Sequence, residues 1–514
     1  LNAGSHLDSD LAVDGLTLLD ATRGTWRWHY PATPDMGIFP LFLSLIPALV
    51  GGVNPISLDC GGAIASVALL VTCYVLARQT YGTSVALWGL IPLTFASTGA
   101  IWLSGRITGG HLLTAVWHAG LFLLVERWLV RGGSSYAAAV GLWSGLGISL
   151  DLMFVLSLVG AVPAGVVGWW SMGRSRRVAL PGLICALAFG AGLVPRELGR
   201  RIDPYNAYGG QLAPSWDTKV LREHGVILAA KCLPRLVAGH QLPGLETDPD
   251  PRTLPIPMAV RTTRQAGWLA LGTTVTALAG FAVAFTALLV VGGKGPPARL
   301  ISAGLLISAA AVVGAFVVNR NIFNSDNYRY LVTLLVPWSA GFGLAFDWLA
   351  RRGRKGMAVA LLGGAAIALL FTADAAEWYR RLGWLDDRGL PFRRPLNDPA
   401  LKWLDEHPEI TTLYGSYWDV YRLAFLTNGR VRGVPFPEFP NRFPEWSLAL
   451  PAGRPETLIV RRTPLDQRYY LQAMAEGGTL LHEAPGFRII AWPGKSPPSA
   501  RGFPHHSAPG DNQD

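Results

Sequence analysis

The stretch Leu7–Asp20, LDSDLAVDGLTLLD, carries Asp8, Asp10, Asp14 and Asp20 among apolar residues Leu11, Leu16, Leu18 and Leu19 at helical spacing. Ser9 or Asp10 is the expected N-cap. A carboxylate held at the water-facing edge of an apolar domain can orient or deprotonate an attacking hydroxyl. The plainer alternative is an amphipathic surface helix whose acids are simply wet. Other polar residues stand at the ends of long apolar runs. Arg106 lies in SGRITGGH, and His111 opens the run that follows. Asp151 interrupts another run. Arg196, Glu197, Arg200 and Arg201 follow a third, and Asp326, Tyr328 and Arg329 precede a late one. A guanidinium fork suits phosphate. A charge in hydrocarbon costs at least about 2.5–3.5 kcal/mol on insertion scales, so such residues line a cavity or pair with one another. Taken singly, the arginines also read as snorkelling interfacial cations, Asp151 as the wet turn of a helical hairpin, and Gly109-Gly110 as helix-packing glycines. Taken together, acids and arginines at membrane level fit a substrate with a phosphate head and a lipid tail. There is no Walker loop, dinucleotide fingerprint or nucleophile elbow. Cys60, Cys73, Cys185 and Cys232 show neither metal-ligand spacing nor a disulfide framework.

The elements that must position these residues are membrane helices. Of 514 residues, 50% are hydrophobic and 15% charged, against about 25% charged in soluble domains. The net charge of +10 is read as an orientation signal, with no nucleic acid implied. Residues 1–36 are polar and aromatic. The apolar piece 38–50, interrupted by Pro40 and Pro47, is shorter than the roughly 20 residues needed to span. It reads as interfacial or re-entrant, with Trp26 and Trp28 at headgroup depth. Spans are expected at 60–78, 85–103, 109–130, 136–150, 152–170, 178–195, 266–291, 299–318, 330–349 and 356–373, about ten in all. Arg78, Arg127, Arg131, Arg174, Arg176, Arg177, Lys294, Arg299, Arg351, Arg352, Arg354 and Lys355 then fall in alternate loops, which come out cytoplasmic. The opposite face holds residues 1–59, the loop 104–108, the turn at Asp151, the loop 196–265 as a small lid with little core of its own, the loop 319–329, and everything after about 374. A spanning helix ahead of Leu1 would explain how residues 1–59 reach that face.

The chain divides into an acidic outer segment (1–59), two bundles (60–195 and 266–373) flanking the lid, a domain at 374–492 and a tail (493–514). In the C-terminal domain, Asn397-Asp398-Pro399 announces a helix over Pro399–Glu406. Strands are expected at Thr411–Tyr414, Tyr421–Leu426, Thr457–Arg461 and Phe487–Trp492, with a helix at Pro464–Glu476. The fold class is thus a polytopic α-helical membrane protein with a small α/β domain. The Pro-, Ser- and Gly-rich tail reads as disordered, and carries His505 and His506, which could hold a metal.

In this order the motifs resemble GT-C-type integral-membrane glycosyltransferases, the superfamily of protein O-mannosyltransferases and the bacterial aminoarabinose transferase. SDLAVDGLTLLDATRG resembles the motif that follows their first helix, and Asp10 matches the catalytic aspartate. YVLARQTYG at 74–82, SGRITGGH at 104–111, the acid Asp151 after GLGIS, Asn327-Tyr328-Arg329-Tyr330, and GSYWDVYRLAFLTNGRV at 415–431 follow the family order. The resemblance implies inverting transfer of a sugar from a polyprenyl-phosphate donor to a lipid, glycan or protein acceptor on the outer face of the bacterial cytoplasmic membrane. It implies Asp10 as the group acting on the acceptor hydroxyl, with Asp151 as a second catalytic candidate. Asp8, Asp14, Arg106, His111, Tyr328, Arg329, Tyr417 and Arg422 are candidates for substrate binding. Arg106 and Arg329 are assigned to the donor phosphate by charge and side alone. There are departures: Leu11 stands where an acid usually follows, Leu112, Leu113 and Thr114 stand where a glutamate is expected, and no glutamate lies near 38–42. These leave a divalent cation an open question. They also keep alive a non-catalytic scaffold, ahead of a transporter, which would need mid-membrane acids and paired broken helices.

Overall fold

The computed structural model describes residues 7–107, 111–171, 179–207, 212–242, 267–293, 295–322, 324–381, 384–385, 398–448, 456–461 and 464–493. Gly109-Gly110, the basic residues Arg174, Arg176, Arg177 and Lys294, the loop beyond 242 and the tail with His505 and His506 lie outside the described residues.

The chain opens with α1 (Ser9–Thr22). A two-stranded antiparallel hairpin follows, β1 (His29–Tyr30) and β2 (Thr33–Gly37), then α2 (Leu41–Gly51). The long helix α3 (Pro55–Thr80) starts where Asn54 and Ser57 form a reciprocal capping box with Pro55 at the first position. Next come α4 (Thr83–Thr94) and α5 (Thr98–Ser104), α6 (His111–Arg131), α7 (Ser134–Leu150), α8 (Val155–Ser171) and α9 (Ala179–Ile202). In the loop that follows, α10 (Thr218–Ile227) runs through a π turn into α11 (Leu233–Ala238). Then α12 (Trp268–Val290) and α13 (Pro296–Val318) precede a 3-10 segment, Ser325–Leu334, which leads into α14 (Leu335–Ala350) and α15 (Arg354–Arg381).

Among the described residues, eight helices are long and apolar enough to cross a membrane, nine if the pair α4 and α5 is counted as one span. The protein is thus a multi-pass membrane protein. Two of the expected spans differ in form. The 85–103 stretch bends by 87° between α4 and α5. There Ser97 caps α5, accepting from Ala100 N at 3.1 Å, and donates to Leu236 O at 2.7 Å. The 136–150 stretch is the helix α7 of 17 residues, about 25 Å long at 1.5 Å per residue, and it ends at Asp151, which is buried and not the wet turn of the alternative reading.

Part of the loop 196–265 packs into the bundle. Cys232, Leu236, Val237 and Ala238 are buried in the same apolar core as α3, α6, α12 and α14. Arg196, Glu197, Arg200 and Arg201 stand on the last turns of α9 rather than in a loop.

The C-terminal domain comprises α16 (Pro399–Glu406), β3 (Thr412–Gly415), α17 (Tyr417–Leu426), β4 (Arg432–Pro435), α18 (Pro444–Leu448), β5 (Glu456–Arg461), α19 (Pro464–Ala475), β6 (Thr479–Ala484) and β7 (Phe487–Trp492). Its sheet order is β4-β3-β5-β7-β6, with β3 parallel to β4 and β5, and β7 antiparallel to β5 and β6. The expected strand Tyr421–Leu426 is instead part of α17. Its apolar residues Tyr417, Val420, Tyr421, Ala424 and Phe425 recur at helical spacing and are all buried. Along β5 burial alternates between two cores. Ile459 points into one shared with α1, whereas Leu458 and Val460 point into one closed by Tyr469 and Ala473 of α19.

The wet-helix alternative for the opening stretch is overturned. Leu11, Ala12, Val13, Leu16 and Leu18 lie in one core with Tyr417, Val420, Tyr421 and Phe425 of α17. Helix α1 is therefore clamped between the membrane bundle and the C-terminal domain. Segments expected on one face also meet at one end of the bundle. Met36 of β2 bridges to Asp151, and Pro214 bridges to Asn319.

Candidate functional site

The site starts from the cap of α1. Asp8, in extended backbone, accepts from Leu11 N at 3.0 Å, so Asp8 and not Ser9 or Asp10 is the N-cap. Ser9 Oγ is diverted to Trp418 O at 2.7 Å. Asp8 also accepts from the Arg106 guanidinium. Arg106 is delivered by close backbone packing. A Cβ on Gly62 of α3 would meet Ser104 O at 2.5 Å and Arg106 N at 2.8 Å, so only glycine lets the loop lie there. The guanidinium lies 5.1 Å from the centre of the Trp102 ring. Burial disfavours its charge, but Asp8 and Asp10 outweigh that and hold it protonated more firmly than usual.

Asp10 sits in the first turn of α1 and is held from three directions. Its Oδ1 accepts from Tyr417 Oη at 2.6 Å and its Oδ2 from Arg329 Nη1 at 3.3 Å. Its backbone carbonyl accepts from Tyr30 Oη at 2.9 Å. Arg442 completes the ring: Nε donates to Tyr417 Oη at 3.4 Å, and Nη1 donates to Pro31 O at 3.2 Å and to Thr33 Oγ1. Burial pushes the Asp10 carboxyl upward. Arg329, Arg442, the Tyr417 hydrogen bond and Arg106 together outweigh it and hold the group below the ordinary carboxylate range. Asp10 is thus a carboxylate at neutral pH, ready to accept a hydrogen bond or a proton. The Arg329 Nε–H is buried with no acceptor among the described residues, a donor of the kind an anion satisfies.

The neighbouring polar residues have definite partners. Arg235 of α11 donates to Asp326 at 2.5 Å and Ser325 at 3.1 Å, and covers the Tyr328 ring at 4.4 Å. Tyr328 Oη donates to Gly99 O at 3.1 Å. Asp151 caps the 3-10 turn after α7 through Met153 N at 2.9 Å and accepts from Thr114 at 3.2 Å. His111 Nδ1 lies 3.7 Å from Asp151, and its ring meets Tyr330 edge-on at 5.3 Å. Arg196 pairs with Asp35 at 2.7 Å. Asp14 is buried one turn beyond Asp10 on the same face of α1. Arg422 is turned away from Asp10 and pairs with Asp398, the cap of α16.

The structure therefore gathers Asp8, Asp10, Arg106, Arg329 and Tyr417 into one cluster, with His111, Asp151 and Tyr328 in the next layer and Arg422 outside it. Sequence reasoning missed Arg442, Tyr30, Arg235 and Asp35. Arg442 had one usable signal: a lone cation between Pro440 and Pro444 in an aromatic stretch. Among the described residues, no group of three or more His, Cys, Asp or Glu side chains could hold a metal ion. The arginines and tyrosine around Asp10 are donors, a set that suits an anion and not a divalent cation.

No family model and no curated protein matches the sequence. Solved structures do. ArnT from Cupriavidus metallidurans bound to undecaprenyl phosphate is similar at 13% identity and a TM-score of 0.56, over 94% of this chain and 93% of that one. The apo state of the same protein is similar at 12% identity and 0.58, with the same coverage. The chain thus shares the fold of these ArnT structures.

Proposed function

We propose that this chain is a membrane glycosyltransferase that moves a sugar from a polyprenyl-phosphate donor to a lipid, glycan or protein acceptor on the outer face of the bacterial cytoplasmic membrane. The observation that carries this reading is the part-buried Asp10 carboxylate facing Arg329 at 3.3 Å, with Arg106 and Arg442 close by, at the end of the bundle where the C-terminal domain docks. The acceptor oxygen attacks the anomeric carbon as the bond from that carbon to the phosphate oxygen breaks. The bonding pair leaves with the polyprenyl phosphate, and the configuration inverts. Asp10 orients the acceptor hydroxyl and takes its proton. Arg329, with its unsatisfied Nε–H, and Arg106 offset the charge gathering on the leaving phosphate. The undecaprenyl phosphate named for the similar ArnT structure belongs to the same ligand class.

Within this reading Asp8 holds Arg106 and caps α1, Asp151 orients His111, and Arg422 braces the C-terminal domain. The test uses the full chain in lipid nanodiscs with a panel of undecaprenyl-phosphate-linked sugars, following release of undecaprenyl phosphate. Turnover of at least one donor is expected, falling by about 100-fold or more in Asp10→Asn, the scale of a lost general base. Unchanged turnover in that variant would remove Asp10 from the chemistry. Binding of every donor without turnover would favour a degenerate, non-catalytic member.

A further inference from the structure

Asp10 is held by groups that arrive from the far end of the chain. Tyr417 opens α17, 407 positions away, and Arg442 lies in the loop before α18. The hydrogen bonds run in a closed circuit. Arg442 donates to Tyr417 Oη, which donates to Asp10 Oδ1. Arg442 also anchors on Pro31 O and Thr33 of the hairpin, and Tyr30 of that hairpin donates to the Asp10 carbonyl. Arg442 lies 5.0 Å from the centre of the Tyr30 ring and 6.0 Å from that of Tyr417, so it packs between the two tyrosines. Tyr417 and Arg442 are both buried. Neither could be moved without shifting the docking of α17 on α1, where Phe425 covers Gly15 closely enough that a Cβ there would meet the ring at 2.4 Å.

We propose that the C-terminal domain is an integral part of the transfer site, in which Tyr417 and Arg442 are positioning residues that lock the Asp10 carboxylate in one orientation. This rests on the glycosyl-transfer reading, and it reassigns Tyr417 from substrate binding to the support of Asp10. A carboxylate offers about four lone-pair directions. Tyr417 fills one on Oδ1 with a short bond, and Arg329 takes one on Oδ2 with a longer bond. Without Tyr417, the carboxylate can rotate to pair fully with Arg329 or Arg106, which would withdraw it from the acceptor and neutralise the arginines. The circuit therefore holds Asp10 to one long contact with Arg329 while leaving both charged. The charged and titratable groups facing Asp10 are Arg329 from the 3-10 segment, Arg442 and Tyr417 from the C-terminal domain, Arg106 from the loop after α5, and His111 from the start of α6.

The experiment compares the full-length chain with Tyr417→Phe, which removes only the hydroxyl, and Arg442→Lys, which keeps the charge but not the fork. Carboxyl infrared titration in nanodiscs, with Asp10→Asn identifying the band, reads Asp10 without any substrate. In both variants the Asp10 midpoint is expected to move up towards the ordinary carboxylate range. Where the wild type turns over a donor, Tyr417→Phe should lower kcat by about tenfold, as expected for one charge-assisted hydrogen bond. KM for the donor should stay unchanged, and the acid limb of the rate profile should move to higher pH. Thermal melts confirm that each variant is folded, and Arg442→Lys decides if Tyr417→Phe does not fold. An infrared midpoint in the folded variants identical to the wild type overturns the proposal. A shifted midpoint in a chain that transfers no sugar upholds the positioning and rejects the transfer reading.

Discussion

A Cβ on Gly99 would stand 1.9 Å from the carbonyl oxygen of Arg235. The absence of a side chain there lets α11 lie directly on α5, and it places Arg235 over Tyr328, whose hydroxyl ends on Gly99 O. The long loop is thereby seated on the bent helix pair beside the proposed phosphate site.

Gly99→Ala pushes backbone against backbone, which no rotamer change can relieve. The expected cost is about 1–3 kcal/mol, the range for overpacking. It should appear as a lower midpoint in thermal melts of the full chain and as faster proteolysis within α10 and α11. A melt unchanged from the wild type would show that the two segments separate freely.

Arg329→Gln removes a cation whose Nε–H has no partner among the described residues. Binding of undecaprenyl phosphate to the full chain in nanodiscs is expected to weaken by about 10- to 100-fold, the worth of one hydrogen bond to a charged group. The loss should shrink in high salt. Equal affinities for the two proteins would move the phosphate elsewhere.

Arg106 and Asp8 form a part-buried ion pair, so removing one partner strands the other. Arg106→Met is expected to destabilise the chain by about 3 kcal/mol. The double variant with Asp8→Asn should regain much of that, because it no longer buries a lone charge. Additive losses in chemical denaturation would mean that the pair contributes little by itself.

Burial lifts the Glu456 carboxyl from its ordinary 4.5 to about 7, with the nearby Tyr414 hydroxyl offsetting part of the rise. The folded state therefore holds a proton that the unfolded state has released between those two values. Stability is fully present below about pH 4.5 and declines as pH rises towards 7. At a half-buried site screening by water reduces the effect to on the order of 1 kcal/mol. Glu456→Gln should flatten this part of the pH–stability curve of the full chain. A slope that survives the substitution assigns it to another group.

The membrane helices were legible because a spanning segment declares itself locally, by about 20 apolar residues in a row. Pro399–Glu406 was legible for a similar reason, since its cap and first-turn proline are neighbours in sequence. Tyr421–Leu426 misled because a short apolar run serves strand and buried helix equally well, and only docking against α1 decides between them. The cap of α1 was off by one or two residues because Asp8, Ser9 and Asp10 are all good caps. The choice fell to Trp418, Arg106 and Tyr417, which occupy the three side chains from other elements.

What this sequence determined by itself is a membrane bundle with an acidic opening stretch and an α/β end, because these follow from composition and from residues adjacent in the chain. The tertiary structure alone decided that α1 is buried, that Arg106 answers Asp8 while Arg329 and Tyr417 answer Asp10, and that Arg442 belongs to the same circuit. The physical reason is that a carboxylate's state is set by the charges and donors within a few ångströms of it. For Asp10 these come from residues as far as 407 positions along the chain, which only the packed fold brings together.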